Sequence, residues 1–264
     1  MMQENGYRGI PQQEQNVSLS IVVPCRNEAK RLPGSLDLLF QYLGPSSPDI
    51  EVIFSIEESE DATVDIVREK VGGDRRFSIL EHQEARGKGF NVRQGILAAR
   101  GECILFMDAD LSVPLRFVSQ FWERFCKSSD LDVLIASRRH PASYIPKPQP
   151  LIRHLGGQAI SLLVRLFTGI SWADTQCGFK AFRRSAARRI FSRTTLDGFS
   201  FDLEVLALAK AMGMHVEEYP VEWNDVAGSS VRPVTHGVEI IQDAIRMRSL
   251  VRDTLRHRPL MNSE

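Results

Sequence analysis

Three observations predict an α/β fold with a doubly wound, mostly parallel central sheet. Short apolar runs alternate with stretches of helical spacing through the first half of the chain, the pattern of consecutive βαβ units. The runs are rich in Val, Ile, Leu and Phe and stop at proline, glycine or a charged residue, as buried strands do. Charged residues follow the run ends in three places: Arg26 and Glu28, Glu57 and Glu58, and Asp108 and Asp110. In doubly wound sheets ligands bind beyond the carboxyl ends of the strands, so these groups are expected to line one rim.

Each element follows from its residues. Leu19-Ser20-Ile21-Val22-Val23 is a β-branched run stopped by Pro24. Residues 28–42 carry helical spacing at Leu32, Leu36, Leu39 and Leu43, and Gly44-Pro45 ends the helix. Residues 51–56 form a second strand, 63–71 a helix stopped by Gly72-Gly73, 77–80 a third strand, and 89–99 a helix before Gly101. Residues 102–107 give the fourth strand, 118–125 a helix and 132–136 the fifth strand. The second half changes character. Residues 141–150 hold four prolines and read as a loop, 151–167 as a helix bearing Arg153, His154 and Arg165, and 201–212 as another helix. Residues 215–223 alternate as a strand, and 238–255 read as an amphipathic helix with Arg246, Arg248, Arg252 and Arg256 on its polar side.

At 264 residues the chain fits one large domain with an appendage. We divide it into a tail at 1–16, a domain at 17–237, and a C-terminal amphipathic helix and tail at 238–264. Lys plus Arg and Asp plus Glu balance at 33 each, so no nucleic-acid partner is implied. The four cysteines, Cys25, Cys103, Cys126 and Cys177, show no zinc spacing and read as reduced thiols of a cytosolic protein. The N-terminus lacks a signal-peptide core. The longest apolar stretch, 159–170, is broken by Arg165 and is shorter than the roughly 20 residues a bilayer demands.

The chemistry centres on Met107-Asp108-Ala109-Asp110, directly after the apolar run 103–106. Two carboxylates at a strand exit are costly unless something neutralises them. A hard divalent cation such as Mg²⁺ or Mn²⁺ does so, bound by one or two carboxylates and by phosphate oxygens of a substrate. Asp108 and Asp110 are the candidate metal ligands; a solvated acidic turn is the alternative. Lys88, between Gly87 and Gly89, is a candidate phosphate contact or a loop lysine. Arg138 follows the apolar run 133–136, and its planar fork suits phosphate. Arg153 and Arg232 are further phosphate candidates. Asp174 is either a base or a brace for the loop after it, and Asp202 with Glu204 either serves catalysis or favours a helix N-terminus. Cys177 has no activating histidine near it in sequence.

These segments resemble one family. The opening Ser20-Ile21-Val22-Val23-Pro24-Cys25-Arg26-Asn27-Glu28 is similar to the first strand of family-2 inverting glycosyltransferases. Gly87-Lys88-Gly89, Asp108-Ala109-Asp110-Leu111 and Ser137-Arg138 follow in that family's order. Asp174-Thr175-Gln176-Cys177-Gly178-Phe179-Lys180-Ala181-Phe182, with residues 201–204 and 220–223, resembles the polyprenyl-phosphate sugar transferases. The resemblance implies a GT-A fold and a nucleotide-sugar donor. It implies that Pro24, Arg26, Glu28, Glu57, Lys88, Asp108 and Ala109 contact the donor, that Asp108 and Asp110 hold metal, and that Arg138, Arg153 and Arg232 meet donor or acceptor phosphate. Asp174, Asp110 and Asp202 are the catalytic candidates.

The implied reaction moves a hexose, glucose from UDP-glucose, onto a polyprenyl phosphate at the cytoplasmic face of a membrane. The alternatives are the same donor chemistry with a soluble hydroxyl acceptor, or an inactive nucleotide-sugar-binding protein. One departure stands out: where the family has two consecutive aspartates after its second strand, this chain has Ile56-Glu57, which leaves the nucleobase contact open. The arginine-bearing segments 151–170 and 238–258 are candidates for lying on an anionic membrane surface, or alternatively for packing on the core or forming a homodimer contact.

Overall fold

The computed structural model describes residues 17–44, 49–146, 169–225 and 243. Its strands are β1 (Leu19–Cys25), β2 (Ile50–Ile56), β3 (Phe77–Glu81), β4 (Cys103–Met107), β5 (Val133–Ser137), β6 (Phe179–Arg183) and β7 (Val216–Pro220). Its helices are α1 (Leu32–Leu43), α2 (Thr63–Val71), α3 (Lys88–Ala98), α4 (Arg116–Lys127), α5 (Arg184–Phe191) and α6 (Phe201–Ala211). The strands form one seven-stranded sheet in the order β3-β2-β1-β4-β6-β5-β7. All pairings are parallel except those of β6, which runs antiparallel to both β4 and β5.

Alternation along the strands builds two cores. Ile21, Val23, Phe54, Leu105, Met107 and Phe179 face one way, against the leucines of α1, Val67 of α2 and Phe117, Phe121 and Phe125 of α4. Val22, Ile53, Ile104, Phe106, Ile135 and Phe182 face the other, against Val92 and Ile96 of α3, Ile190 and Phe191 of α5 and the apolar side of α6. Strands covered on both faces are apolar at nearly every position, which is why the sequence shows runs rather than alternation.

Several elements differ from the sequence reading. Strand β1 does not stop at Pro24 but runs to Cys25. Its ladder with β4 ends at Val22 while pairing with β2 continues, so the proline sits where only one neighbour remains. Helix α1 begins at Leu32, four residues late, with Pro33 in its first turn; the missing N–H costs nothing there. Strand β6 and helix α5 are not predicted by the sequence patterns. Lys180 interrupts the apolar run of β6, and an antiparallel strand needs no crossover helix to announce it. The predicted helix at 151–167 lies outside the described residues, as does that at 238–255 except for residue 243, which is helical. Among the described residues no helix is long and apolar enough to cross a membrane.

Candidate functional site

Parallel strands β1, β2, β4 and β5 all end at one edge, and antiparallel β6 begins there. Residues 26–28, 57–58, 108–110, 138 and 174–178 therefore share a rim. At its centre Asp108 leaves β4, with its N–H donating to Gly178 O at 3.0 Å. A Cβ on Gly178 would lie 1.9 Å from Asp108 Oδ2, so glycine is the residue that lets this carboxylate settle across the 174–178 loop. Asp110 Oδ1 accepts bonds from Ser112 N and Ser112 Oγ, at 3.0 and 2.7 Å. Leu111 adopts a left-handed φ of 52°, a strained conformation for a leucine and of a kind that gathers at functional sites. A small cleft opens here, lined by Asp108, Leu111, Ser112, Gly178 and Trp223 among others.

Lys88, the first residue of α3, places Nζ 2.6 Å from Asp108 Oδ1. Burial alone would lower its pKa, but Asp108, Asp202 and Asp110 together raise it, so it is a firm cation. Its backbone is tightly held. Glu57 Oε1 accepts the N–H groups of Arg86 and Gly87 at 3.0 and 2.6 Å. A Cβ on Gly87 would meet Asp197 O at 2.5 Å, and one on Gly89 would meet Leu196 O at 2.4 Å. Both glycines of the triplet thus allow close packing on the 195–198 loop, which Asp197 ties down through Arg86 and Arg93.

Arg138 leaves β5 and grips Asp174 with Nε and a terminal nitrogen, at 2.6 and 2.8 Å, while its own N–H also donates to Asp174 at 2.9 Å. The guanidinium lies 5.5 Å from the Trp223 ring centre, within cation–π range. Burial would raise the Asp174 pKa, but the Arg138 charge and these hydrogen bonds overcome it and push the carboxyl down to about 2. Glu218 on β7 steadies the same loop by accepting the N–H groups of Ala173 and Asp174, at 3.0 and 3.2 Å.

A third pair lies deeper. Lys180 of β6 is 0% exposed and meets Asp202 Oδ1 at 2.5 Å. It also donates to Cys177 O at 2.7 Å and stands 5.3 Å from the Phe106 ring centre. Burial raises the Asp202 pKa despite the lysine charges beside it.

The expected site residues therefore divide. Lys88, Asp108, Asp110, Arg138 and Asp174 are brought to one rim. Arg26 is exposed there, and Glu28 is chelated by Arg31 at 2.6 Å through both oxygens. Pro24 and Ala109 are buried at the same rim, Ala109 within the apolar core. Glu57 is 2% exposed and braces the lysine loop, so the geometry gives it a holding role. Asp202, a catalytic candidate, forms a buried ion pair with Lys180, and Glu204 accepts bonds from Thr195 and Leu196. The Cys177 thiol is pushed up to about 12 by burial, which removes any case for a nucleophile. Arg153 and Arg232 lie outside the described residues. Sequence reasoning gave no role to Lys180, Glu218 or Trp223; a lysine inside an apolar run was the one signal available.

The donor set suits a hard cation. Among the described residues no group of three or more His, Cys, Asp or Glu side chains could hold an ion alone. Two carboxylates needing phosphate oxygens to complete a shell match how Mg²⁺ binds at phosphate-transfer sites.

A doubly wound sheet with one reversed strand, an Asp-x-Asp turn at its rim and a lysine on that turn is the arrangement expected of a GT-A glycosyltransferase. The chain matches the profile described as Glycosyl transferase family 2 over residues 20–191, and it belongs to that family. It is similar to a dolichyl-phosphate beta-glucosyltransferase of Drosophila melanogaster, 34% identical over 86% of this chain and 73% of that protein. A protein of the same description from Saccharomyces cerevisiae is 31% identical over 90% of this chain and 76% of its own length. Among solved structures, glucosyl-3-phosphoglycerate synthase from Mycobacterium tuberculosis, in a complex with Mn²⁺, UDP-glucose and phosphoglyceric acid, shares the fold with a TM-score of 0.63. That match is 14% identical and covers 89% of this chain and 80% of the synthase.

Proposed function

We propose that this enzyme transfers glucose from UDP-glucose, with inversion, onto a polyprenyl phosphate of the dolichyl type, with the help of Mg²⁺ or Mn²⁺. The observation that carries the acceptor is the state of Asp174. Both its oxygens are engaged by Arg138, and its pKa of about 2 makes it a poor proton acceptor. A hydroxyl acceptor requires a base, whereas a phosphate monoester, whose second pKa is about 6, arrives ionised. The likeness to the dolichyl-phosphate enzymes points the same way.

In this reading Asp108 and Asp110 hold the cation, which neutralises charge as the diphosphate leaves. Lys88 takes a phosphate oxygen of the donor. Asp174 and Trp223 hold the Arg138 guanidinium, which binds the acceptor phosphate as a flat two-pronged donor. Keeping both anionic partners beside fixed cations supplies the orientation that makes such transfers fast. A polyprenyl chain lives in a bilayer, so the enzyme works at a membrane surface; the arginine-bearing segments 151–170 and 238–258 are our candidates for that contact.

Purified enzyme with Mn²⁺, UDP-glucose and polyprenyl phosphate in liposomes is expected to give a β-glucosyl lipid and UDP. GDP-mannose in place of UDP-glucose is expected to give no product, and phosphoglycerate no glucoside. Glucosylation of phosphoglycerate with the lipid left untouched would overturn the acceptor assignment. Product from GDP-mannose alone would overturn the donor. Flotation with the liposomes tests the surface contact.

A further inference from the structure

We infer that Lys88 is a placeholder for the divalent cation: without ligands its ammonium occupies Asp108, and it surrenders that carboxylate only when cation and donor diphosphate arrive together. The inference rests on reading Asp108 and Asp110 as the metal-binding pair. Lys88 Nζ sits 2.6 Å from Asp108 Oδ1, a distance at which a second cation cannot share that oxygen without strong repulsion. The pair is neither sealed nor open, with side chains 22% and 33% exposed, so exchange needs no unfolding.

The surroundings restrict what moves. The backbone of Lys88 cannot retreat, because Glu57 holds the two preceding N–H groups and the flanking glycines abut the carbonyls of Asp197 and Leu196. Only the side chain can swing, about its four rotatable bonds. Two buried carboxylates near it are already taken, Asp202 by Lys180 at 2.5 Å and Glu57 by the N–H groups of Arg86 and Gly87. A cation binding alone must therefore displace an ammonium that has no equally good partner. A donor diphosphate changes this, since its oxygens accept the displaced ammonium and complete the cation's shell. Cation and nucleotide then bind cooperatively, and by linkage each tightens the other to the same degree. Lys88 sets that coupling.

The test is Mn²⁺ binding to the full-length protein, followed by electron paramagnetic resonance of the free ion, with and without UDP. Wild type is expected to bind Mn²⁺ weakly alone and more tightly with UDP. Lys88→Met is expected to bind Mn²⁺ alone about five- to tenfold more tightly than wild type, the scale of a partly exposed ion pair, and to show a correspondingly smaller tightening by UDP, the part left being that from phosphate oxygens on the cation. Lys88→Arg keeps a cation on Asp108 and is expected to stay near wild type in Mn²⁺ alone. If Lys88→Met binds Mn²⁺ alone no more tightly than wild type, while UDP still tightens wild type, the placeholder is overturned and the metal site stands. If wild type binds no Mn²⁺ even with UDP, the metal reading itself falls.

Discussion

Asp108 and Asp110 behind β4, and Asp174 and Asp202 around β6, are four carboxylates at one end of the sheet, yet they keep different company. Asp174 is 3% exposed and gripped by both prongs of Arg138, and Asp202 is 5% exposed against a fully buried lysine. Asp108 is one-third exposed and pairs with Lys88, while Asp110, among the described residues, accepts bonds from Ser112 two residues on. A carboxylate that must accept a cation has to be held in place without being saturated. A carboxylate that positions others does best when every oxygen is used. On the proposed reading, the difference separates groups that exchange partners during the reaction from groups that hold theirs.

The comparison can be broken by removing charges from each side in turn. The largest effect is expected at Asp110, where Asp110→Asn takes away a cation ligand; turnover should fall by at least about a hundredfold, consistent with a metal supplying several kcal/mol. Its melting temperature should move little, because the asparagine Oδ1 can still accept the Ser112 bonds. Steady-state kinetics beside a thermal melt would show a saturated, structural Asp110 if stability fell with activity.

Next comes Lys180→Met, which strands Asp202 in the core. It should cost about 3 kcal/mol in denaturant unfolding, as breaking a buried pair does. The double variant Lys180→Met, Asp202→Leu should recover much of that loss. A double variant as unstable as the single one would show that packing, not the unpaired charge, carries the cost.

A smaller, pH-dependent effect is expected at Asp174. A carboxyl lowered to about 2 in the fold and near 4 when unfolded stabilises the protein fully above pH about 4, and loses that contribution as pH falls toward 2. The contribution is about 2 kcal/mol. Asp174→Asn should therefore unfold with a flatter pH dependence between about 4 and 2. It should also raise the acceptor KM more than the donor KM, because Arg138 loses its brace. The smallest effect is expected at the exposed pairs of Arg68 with Asp65 and Glu81; Arg68→Ala should change stability by less than about 0.5 kcal/mol.

Much of this architecture is legible from single residues. The buried positions of α1 are Leu32, Leu36, Leu39 and Leu43, the same four that helical spacing picks out. Thr63–Val71 forms α2 with Gly72 left-handed at its end, as a double glycine predicts. Local chemistry decides such features, so a window of residues contains them. The reversed strand β6 was not legible, because Lys180 looks polar until Asp202, 22 residues away, is known to lie beside it. The holding role of Glu57 was hidden for a similar reason: the N–H groups that its carboxylate accepts belong to Arg86 and Gly87, 29 and 30 residues on.

By itself the sequence determined the alternation of strands and helices, the rim on which charged residues collect, and the Asp-x-Asp turn after β4, since all three follow from spacing within short segments. Only the tertiary structure decided which charges are free to work. Arg138 with Asp174, Lys180 with Asp202 and Lys88 with Asp108 join residues 36, 22 and 20 positions apart. A side chain's protonation, orientation and availability depend on the partner that burial sets against it, and that partner is chosen by how the sheet folds.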